Sequence, residues 1–340
     1  MTSPEFAFLK LAPNRYLCGW GPFQSVAHRP TEAGAVAFYR NNFTLSYPLP
    51  WKIPVRVFET ADLRDLLPQN GATPLPEIEW HGLGDSGVRA VFDEILAEIE
   101  SGALEKTVPV LTERGRLREG EPAALVKAIA AAPDEMWGYG FREKQTGVVG
   151  VTPEQLFTVS GGVLKTMALA GTAPRHEAAD FLNDVKEIRE HELVADYLTE
   201  KLQTIGDVTR GERTVMDLGS IVHFLTRIEV NLNDPETDLN ELIRLMHPTP
   251  ALGAYPRGEG ALERLMSYRK RLDVPLEFGA PFGVWHDNQF ESIVTIRNVS
   301  WDGDDVFLPS GVGIVQGSRF DREWRELALK RNSVKSLLGV

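Results

Sequence analysis

The sequence predicts an α/β protein of the α+β kind, with mixed, largely antiparallel sheets covered by helices. Two observations lead there. Short apolar runs of strand character alternate with segments of helical periodicity, and successive strands often lie close enough for hairpin-like connections. There is no internal repeat and no low-complexity linker, and the break at 68–76, which contains Pro68, Pro74 and Pro76, is the one plausible seam. The chain therefore reads as one structural domain, with residues 1–87 contributing the N-terminal part of the sheet core and residues 88–340 forming the main region.

Taken in order, residues 88–101 form an amphipathic helix and 107–112 a strand. A helix over 121–132 is followed by strands at 136–142, 156–159 and 163–168. A long helix is expected from about 178 to 205, because Phe181, Val185, Ile188, Leu193, Val194 and Tyr197 recur at three-to-four spacing. Strands return at 215–222, 225–230, 282–285, 292–299 and 306–308.

Composition narrows the function classes. With 340 residues, 43% of them hydrophobic and 25% charged, the chain is long enough for a large core and has no signature of disorder. Cys18 is the only cysteine, which excludes an internal disulfide framework and any multi-cysteine zinc site and fits a reducing cytoplasm. The first eleven residues carry no basic region followed by an apolar core, and the most apolar stretch, 123–132, is short and interrupted by Lys127, so a soluble cytoplasmic protein is expected. The 36 basic and 48 acidic residues give a net charge of −12, which argues against nucleic acid or an anionic membrane as partner. An anionic substrate would need a locally positive pocket.

The C-terminal stretch is the most informative. Gly311 and Gly313 flank one residue, so the backbone can approach a ligand closely and point N–H groups at a carboxylate or phosphate. Their spacing to Gly317 does not fit a dinucleotide fold, and only 23 residues follow it. Ser318 and Asp321 resemble a capping box, after which Glu323, Glu326 and Lys330 fall on one helical stripe. Hard oxygen ligands beside an ammonium suit Mg²⁺ and an anionic substrate. A second helix bears Glu187 and Glu190 at i, i+3, so two helices could clamp one ion. His191-Glu192 lacks the second histidine of a zincin site. Residues 247–256, starting at His247, are too rich in proline for a helix interior and form an ordered loop, and Leu169-Ala170-Gly171-Thr172 offers close backbone approach plus a hydroxyl.

In this order, the segments from about residue 88 to 340 resemble the chorismate-utilising enzymes: anthranilate, aminodeoxychorismate, salicylate and isochorismate synthases. The matching motifs are Leu104-Glu105-Lys106-Thr107-Val108, Thr152-Pro153-Glu154-Gln155-Leu156, 169–172, 186–194, 247–256, Thr295-Ile296-Arg297 and 311–326. The resemblance implies a sandwich core and makes 88–340 the chorismate-binding catalytic region. Family members that use ammonia usually carry Gln where this chain has Lys106, and aminodeoxychorismate synthases usually carry Lys at the position of Ala170. Salicylate synthases tend to have Thr at Ala251 and Tyr at Phe278. These positions imply isochorismate synthase chemistry, with water added at ring carbon 2 and the carbon 4 hydroxyl lost, and no glutamine amidotransferase subunit.

By resemblance, Lys106 would activate the water, which requires a free amine, and Glu154 would protonate the departing hydroxyl, which requires a raised pKa. A direct salt bridge would hold both in unreactive states, so the substrate ring is expected to separate them. Glu190 and Glu326 would ligate Mg²⁺ directly, and Glu187 and Glu323 would hold its waters. Lys330 would reach the ring carboxylate. Arg297 and the backbone at Gly311 and Gly313 would take the enolpyruvyl carboxylate, Gly171 and Thr172 would lie near the ring, and His247 would orient a ring substituent or the water. Ala254 and Ala280 stand where relatives usually have Gly, a cost if either needs a left-handed backbone. The segment before Lys106 is shorter than usual for the family. A salicylate synthase and a non-catalytic chorismate-binding protein are the alternatives, and the isochorismate could serve menaquinone, siderophore or salicylate synthesis.

Overall fold

The computed structural model describes residues 4–68, 73–84, 86–256 and 258–340, so the break at 68–76 lies partly outside the described residues. Two antiparallel sheets dominate. The first runs Arg56–Thr60, Arg15–Trp20, Phe6–Ala12, Trp137–Glu143, Thr146–Thr152, Asn298–Asp302, Asp305–Gly311, Val110–Glu119, Glu77–Trp80. The second runs Gly206–Arg210, Ile221–Leu232, Val163–Pro174, Gln155–Ser160, Gln289–Val294, Pro281–His286, Ala37–Arg40, Trp51–Ile53, Gln24–Val26, with Thr214–Asp217 also paired to Ile221–Leu232. N-terminal strands enter both sheets: Phe6–Ala12 pairs with Trp137–Glu143, and Ala37–Arg40 with Pro281–His286.

The sheets face each other across Ala7, Leu9, Leu17, Tyr139 and Phe141 from one side and Phe38, Phe282, Val284 and Ile293 from the other. Strand alternation supplies this layer, because residues two apart share a face. The helices are α1 (Ser86–Glu100), α2 (Ala178–Phe181), α3 (Val185–Leu202), α4 (Leu239–Met246), α5 (Glu259–Arg271) and α6 (Phe320–Leu338). Val194, Leu198 and Leu202 of α3 and Leu242, Ile243 and Met246 of α4 pack on Phe157, Ile228 and Val230 of the second sheet. The mixed, largely antiparallel α+β class read from the sequence is the class observed.

Several boundaries differ from the sequence reading, each for a local reason. The helix expected over 178–205 is two helices, because Asp184 caps α3 by accepting from the N–H groups of Lys186 (3.0 Å) and Glu187 (3.2 Å). The segment expected as a helix over 121–132 is a 3₁₀ helix, Pro122–Ala131, which keeps Ala123, Val126 and Ile129 on one buried row. The strand expected over 292–299 breaks at Thr295-Ile296-Arg297, where the chain leaves one sheet for the other. The turn between the strands expected at 215–222 and 225–230 falls earlier, at 218–220. The Ser318–Asp321 capping box does not form: Arg319 is the N-cap of α6, and the Ser318 hydroxyl accepts from the Val315 N–H. Neither Ala254 nor Ala280 has a positive φ; Gly279, at φ 77°, makes the turn beside Ala280.

The Asp184 cap fixes where α3 starts and thus where Glu187 and Glu190 point. Its carboxylate also meets Arg322 of α6 at 2.8 Å. Asp184→Ala is expected to cost about 1–2 kcal/mol, read as a lower urea midpoint with an unchanged slope.

Candidate active site

The chain crosses between the two sheets at two adjacent places. Thr146–Thr152 of the first sheet passes through Pro153 and Glu154 into Gln155–Ser160 of the second, and Gln289–Val294 of the second passes through 295–297 into Asn298–Asp302 of the first. The crossings are stitched together: the Val294 N–H donates to the Glu154 carbonyl (3.0 Å), and the Val151 N–H to the Arg297 carbonyl (3.1 Å). Arg297 adopts φ 53°, an uncommon backbone for a long side chain, and the surrounding pairings hold it there. Both side chains line one cavity with Gly171, Thr172, Glu190, His223, Gly311, Gly313 and Lys330.

The Glu154 carboxyl is buried, and burial pushes its pKa up to about 7, against the pull of Lys106 and Lys330. At neutral pH it is therefore part protonated, the state needed to give a proton. Lys106 is fully buried; its Nζ faces Glu190 Oε1 at 3.0 Å. Among the described residues no ion pair joins Lys106 to Glu154. The loop 247–256 fixes the Lys106 backbone, because the Lys106 N–H donates to the Tyr255 carbonyl (3.1 Å) and the Tyr255 N–H to the Lys106 carbonyl (2.8 Å).

Arg297 is buried and, among the described residues, has no carboxylate in ion-pair reach. Its Nη2 meets His223 Nε2 at 3.2 Å. His223 Nδ1 in turn lies 2.9 Å from the Gly171 carbonyl and 3.1 Å from the Thr172 hydroxyl. Burial, then Arg297, hold the His223 pKa down at about 3, so the imidazole is neutral, accepting from Arg297 and donating from Nδ1. Burial likewise lowers Arg297 to about 10, which still leaves a guanidinium at neutral pH, ready for an anionic ligand.

Gly171 sits in a bulge of Val163–Pro174, at φ 75°, and a Cβ there would lie 2.9 Å from the Glu187 carbonyl. The bulge turns the Thr172 N–H onto Glu187 Oε2 at 2.8 Å. Gly313 is needed for space rather than for dihedral freedom, since a Cβ would stand 2.0 Å from Glu190 Oε1 and 3.0 Å from Lys106 Cε. Gly311 is engaged through its carbonyl, which accepts from Lys330 Nζ at 2.9 Å.

The carboxylates expected to hold a metal surround an ammonium. Lys186 Nζ lies 3.0 Å from Glu187 Oε1, 3.3 Å from Glu190 Oε2 and 3.2 Å from Glu323 Oε1, while Glu326 pairs with Lys330 at 2.6 Å. Burial raises Glu187 and Glu323 to about 7 despite Lys186. For Glu190 burial is outweighed by Lys106 and Lys186, which hold it at about 2. Among the described residues no three carboxylate, imidazole or thiolate groups converge as a ready metal cage. The donor set is nonetheless all carboxylate oxygen and already encloses a cation, which fits a hard ion such as Mg²⁺.

Two residues differ from their expected place or were missed. His247 does not line the cavity; its Nε2 meets the Phe43 carbonyl at 2.7 Å, behind the loop that carries Ala251 and Leu252 into the wall. His223 was not singled out, although an imidazole within the apolar run Ile221-Val222-His223-Phe224-Leu225 was the available signal.

Three carboxyls raised to about 7 give a sign for pH dependence. Their contribution to stability is fully present below about pH 4.5 and is lost as pH rises toward 7, so the ligand-free protein should weaken across that window. Glu154→Gln should flatten the slope by an amount on the order of 2 kcal/mol, measured by urea titrations at several pH values. Gly313→Ala should push Glu190 away from Lys106 and lower turnover at least tenfold, a factor of about 1.4 kcal/mol, while near-UV circular dichroism stays native.

The comparisons with known proteins place the chain in a family. The family model described as chorismate binding enzyme matches residues 79–339. Isochorismate synthase MenF of Haemophilus influenzae is 29% identical over 260 residues, covering 73% of this chain and 59% of the relative, and isochorismate synthase DhbC of Bacillus subtilis is 27% identical over 348 residues, covering 93% and 83%. Anthranilate synthase component 1 of Aeropyrum pernix is 26% identical over 296 residues, covering 79% and 66%. The chain thus spans 59% and 66% of the length of the MenF and anthranilate synthase relatives and 83% of DhbC. A crystal structure described as a putative 2,3-dihydroxybenzoate-specific isochorismate synthase, DhbC from Bacillus anthracis, superposes with a TM-score of 0.84 at 18% identity, covering 100% of this chain and 97% of that one, which is a likeness of fold. With the family model matching residues 79–339, most of its length, the chain belongs to the chorismate binding enzyme family.

Proposed function

We propose that the protein is a Mg²⁺-dependent isochorismate synthase that converts chorismate into isochorismate. The observation that carries this reading is a buried carboxyl raised to about 7, Glu154, lining the cavity, with a fully buried lysine, Lys106, directly behind the cavity-lining Glu190 and Gly313 and not salt-bridged to Glu154. An amine and a proton-donating carboxyl at one site suit addition of water at one ring carbon and departure of hydroxyl at another. Several similar proteins carry the name isochorismate synthase, including MenF and DhbC, which supports the same chemistry here. Lys106 in place of Gln favours water over ammonia as the nucleophile.

Chorismate carries two carboxylates. Arg297, oriented by His223 and free of a carboxylate partner among the described residues, takes the enolpyruvyl carboxylate, and Lys330 reaches the ring carboxylate. Glu190 and Glu326 would hold Mg²⁺ directly, with Glu187 and Glu323 holding its waters; when bound, the ion neutralises the ring carboxylate. Lys106 acts as a base only as the free amine, so its 3.0 Å contact with Glu190 loosens before water is activated. It then takes a proton from water as oxygen bonds to carbon 2. Glu154 gives its proton to the carbon 4 hydroxyl, which leaves as water, so the ring gains and loses one water in all.

Incubation of purified protein with chorismate, with and without Mg²⁺, and chromatography of the products tests this reading. Isochorismate formed only with Mg²⁺, reaching an equilibrium mixture, is expected. Lys106→Ala and Glu154→Gln should each lower kcat by about 10²–10⁴. With Glu154 as the acid, kcat should fall as pH rises through about 7. Salicylate with pyruvate as products, or binding of chorismate without turnover, would overturn it.

A further inference from the structure

The carboxylate cluster is not empty. Lys186 Nζ lies within 3.3 Å of an oxygen of each of three buried glutamates, Glu187, Glu190 and Glu323, which come from two different helices. Two of the three have a further cation: Glu187 meets Arg322 at 3.1 Å, and Glu190 meets Lys106 at 3.0 Å. For Glu323, Lys186 is the only ion-pair partner among the described residues. Neither Glu323 oxygen has a hydrogen bond of good geometry there, and the residue is 1% exposed. A buried carboxylate with an ammonium and the Ser318 hydroxyl nearby but no well-directed bond to either is held by charge more than by directed bonds, and a divalent ion with its waters would satisfy it better.

From this geometry we infer that Lys186 is the protein's internal occupant of the divalent-cation position, and that a metal ion binds by displacing it. The inference rests on the metal reading above and adds a competitor to it. An ammonium and a divalent ion cannot both sit among the same oxygens. The side chain is long, unbranched and next to the Asp184 cap at the start of α3, so it can swing away from the cluster without unwinding the helix. The apparent metal affinity is then the intrinsic affinity reduced by the fraction of molecules in which Lys186 has left. In the absence of metal the same lysine keeps α3 and α6 together by neutralising carboxylates from both.

Manganese ion alone, counted by electron paramagnetic resonance on the full chain without chorismate, tests the competition. Lys186→Gln should bind Mn²⁺ at least tenfold more tightly than the wild-type protein, and its melting temperature should be lower without metal and restored by Mn²⁺. In the wild-type protein, acylation of Lys186 by an amine-reactive ester, read by mass spectrometry, should be low without metal and rise when Mn²⁺ is added. Mn²⁺ binding by the wild type that is unchanged or weaker in a folded Lys186→Gln, with no change in Lys186 labelling, would overturn the inference and leave the metal reading standing. No Mn²⁺ binding by either protein would overturn both. Binding by Lys186→Gln alone would support the inference in its strongest form.

Discussion

Everything near the cavity answers to one constraint: several carboxyl groups are held out of water within a few ångströms of one another. Such groups either bind a proton or find a cation, because an isolated buried charge is far too costly. Both solutions are present. Glu154, with no ion-pair partner among the described residues, shifts toward the protonated form, and Glu190, flanked by Lys106 and Lys186, stays ionised. The acid and the anchoring carboxylate thus differ in the charges set around them, not in residue type.

The fold meets this constraint by placing the groups where two sheets exchange strands. A continuous strand sends its side chains alternately to its two faces at positions fixed by the pleat. At a crossing the residues are released from strand pairing over two or three positions and can be aimed off that fixed alternation. Glu154 and Arg297 occupy such crossings, and the paired strands on either side keep the unusual backbone of Arg297 in place. Helices α3 and α6 then bring the remaining carboxylates and lysines to the same end, with Gly313 leaving room for Glu190 against Lys106.

Much of this was legible in the sequence, because spacing along a helix fixes which side chains share a face. Glu187 with Glu190, and Glu323 with Glu326 and Lys330, could be grouped before any coordinates. What was not legible depends on tertiary pairing. Thr295-Ile296-Arg297 continues an apolar alternating run, so nothing local marks the point where the chain changes sheets. The cap at Asp184 was not read, because the periodicity of Phe181 and Val185 runs through it. Lys186 stood inside the quoted motif, but a lysine in the first turn of a polar helix reads as a surface charge. Only the approach of α6 from more than 130 positions away turns it into the centre of a buried cluster. His247 stood in a quoted motif too, and its imidazole serves the Phe43 carbonyl on the far side of the loop.

A net charge of −12 and the dianionic substrate proposed above are reconciled by the same burial. Charges on the outer surface are screened over about 8–10 Å at ordinary ionic strength and contribute little inside the cavity. There Arg297 is the lining cation with no carboxylate in ion-pair reach among the described residues, whereas Lys106 is paired with Glu190 and Lys330 with Glu326. Dehydration acts in opposite senses on the two kinds of group. It weakens the hold of Glu154 on negative charge, which makes it a proton donor, and it deprives Arg297 of solvent partners, which favours an incoming carboxylate. His223 completes the arrangement, since a protonated imidazole at 3.2 Å would repel the guanidinium, whereas the neutral ring accepts from it and fixes its direction. Anion binding and proton donation are therefore two consequences of one dry site, and a change that lets water in would be felt by both.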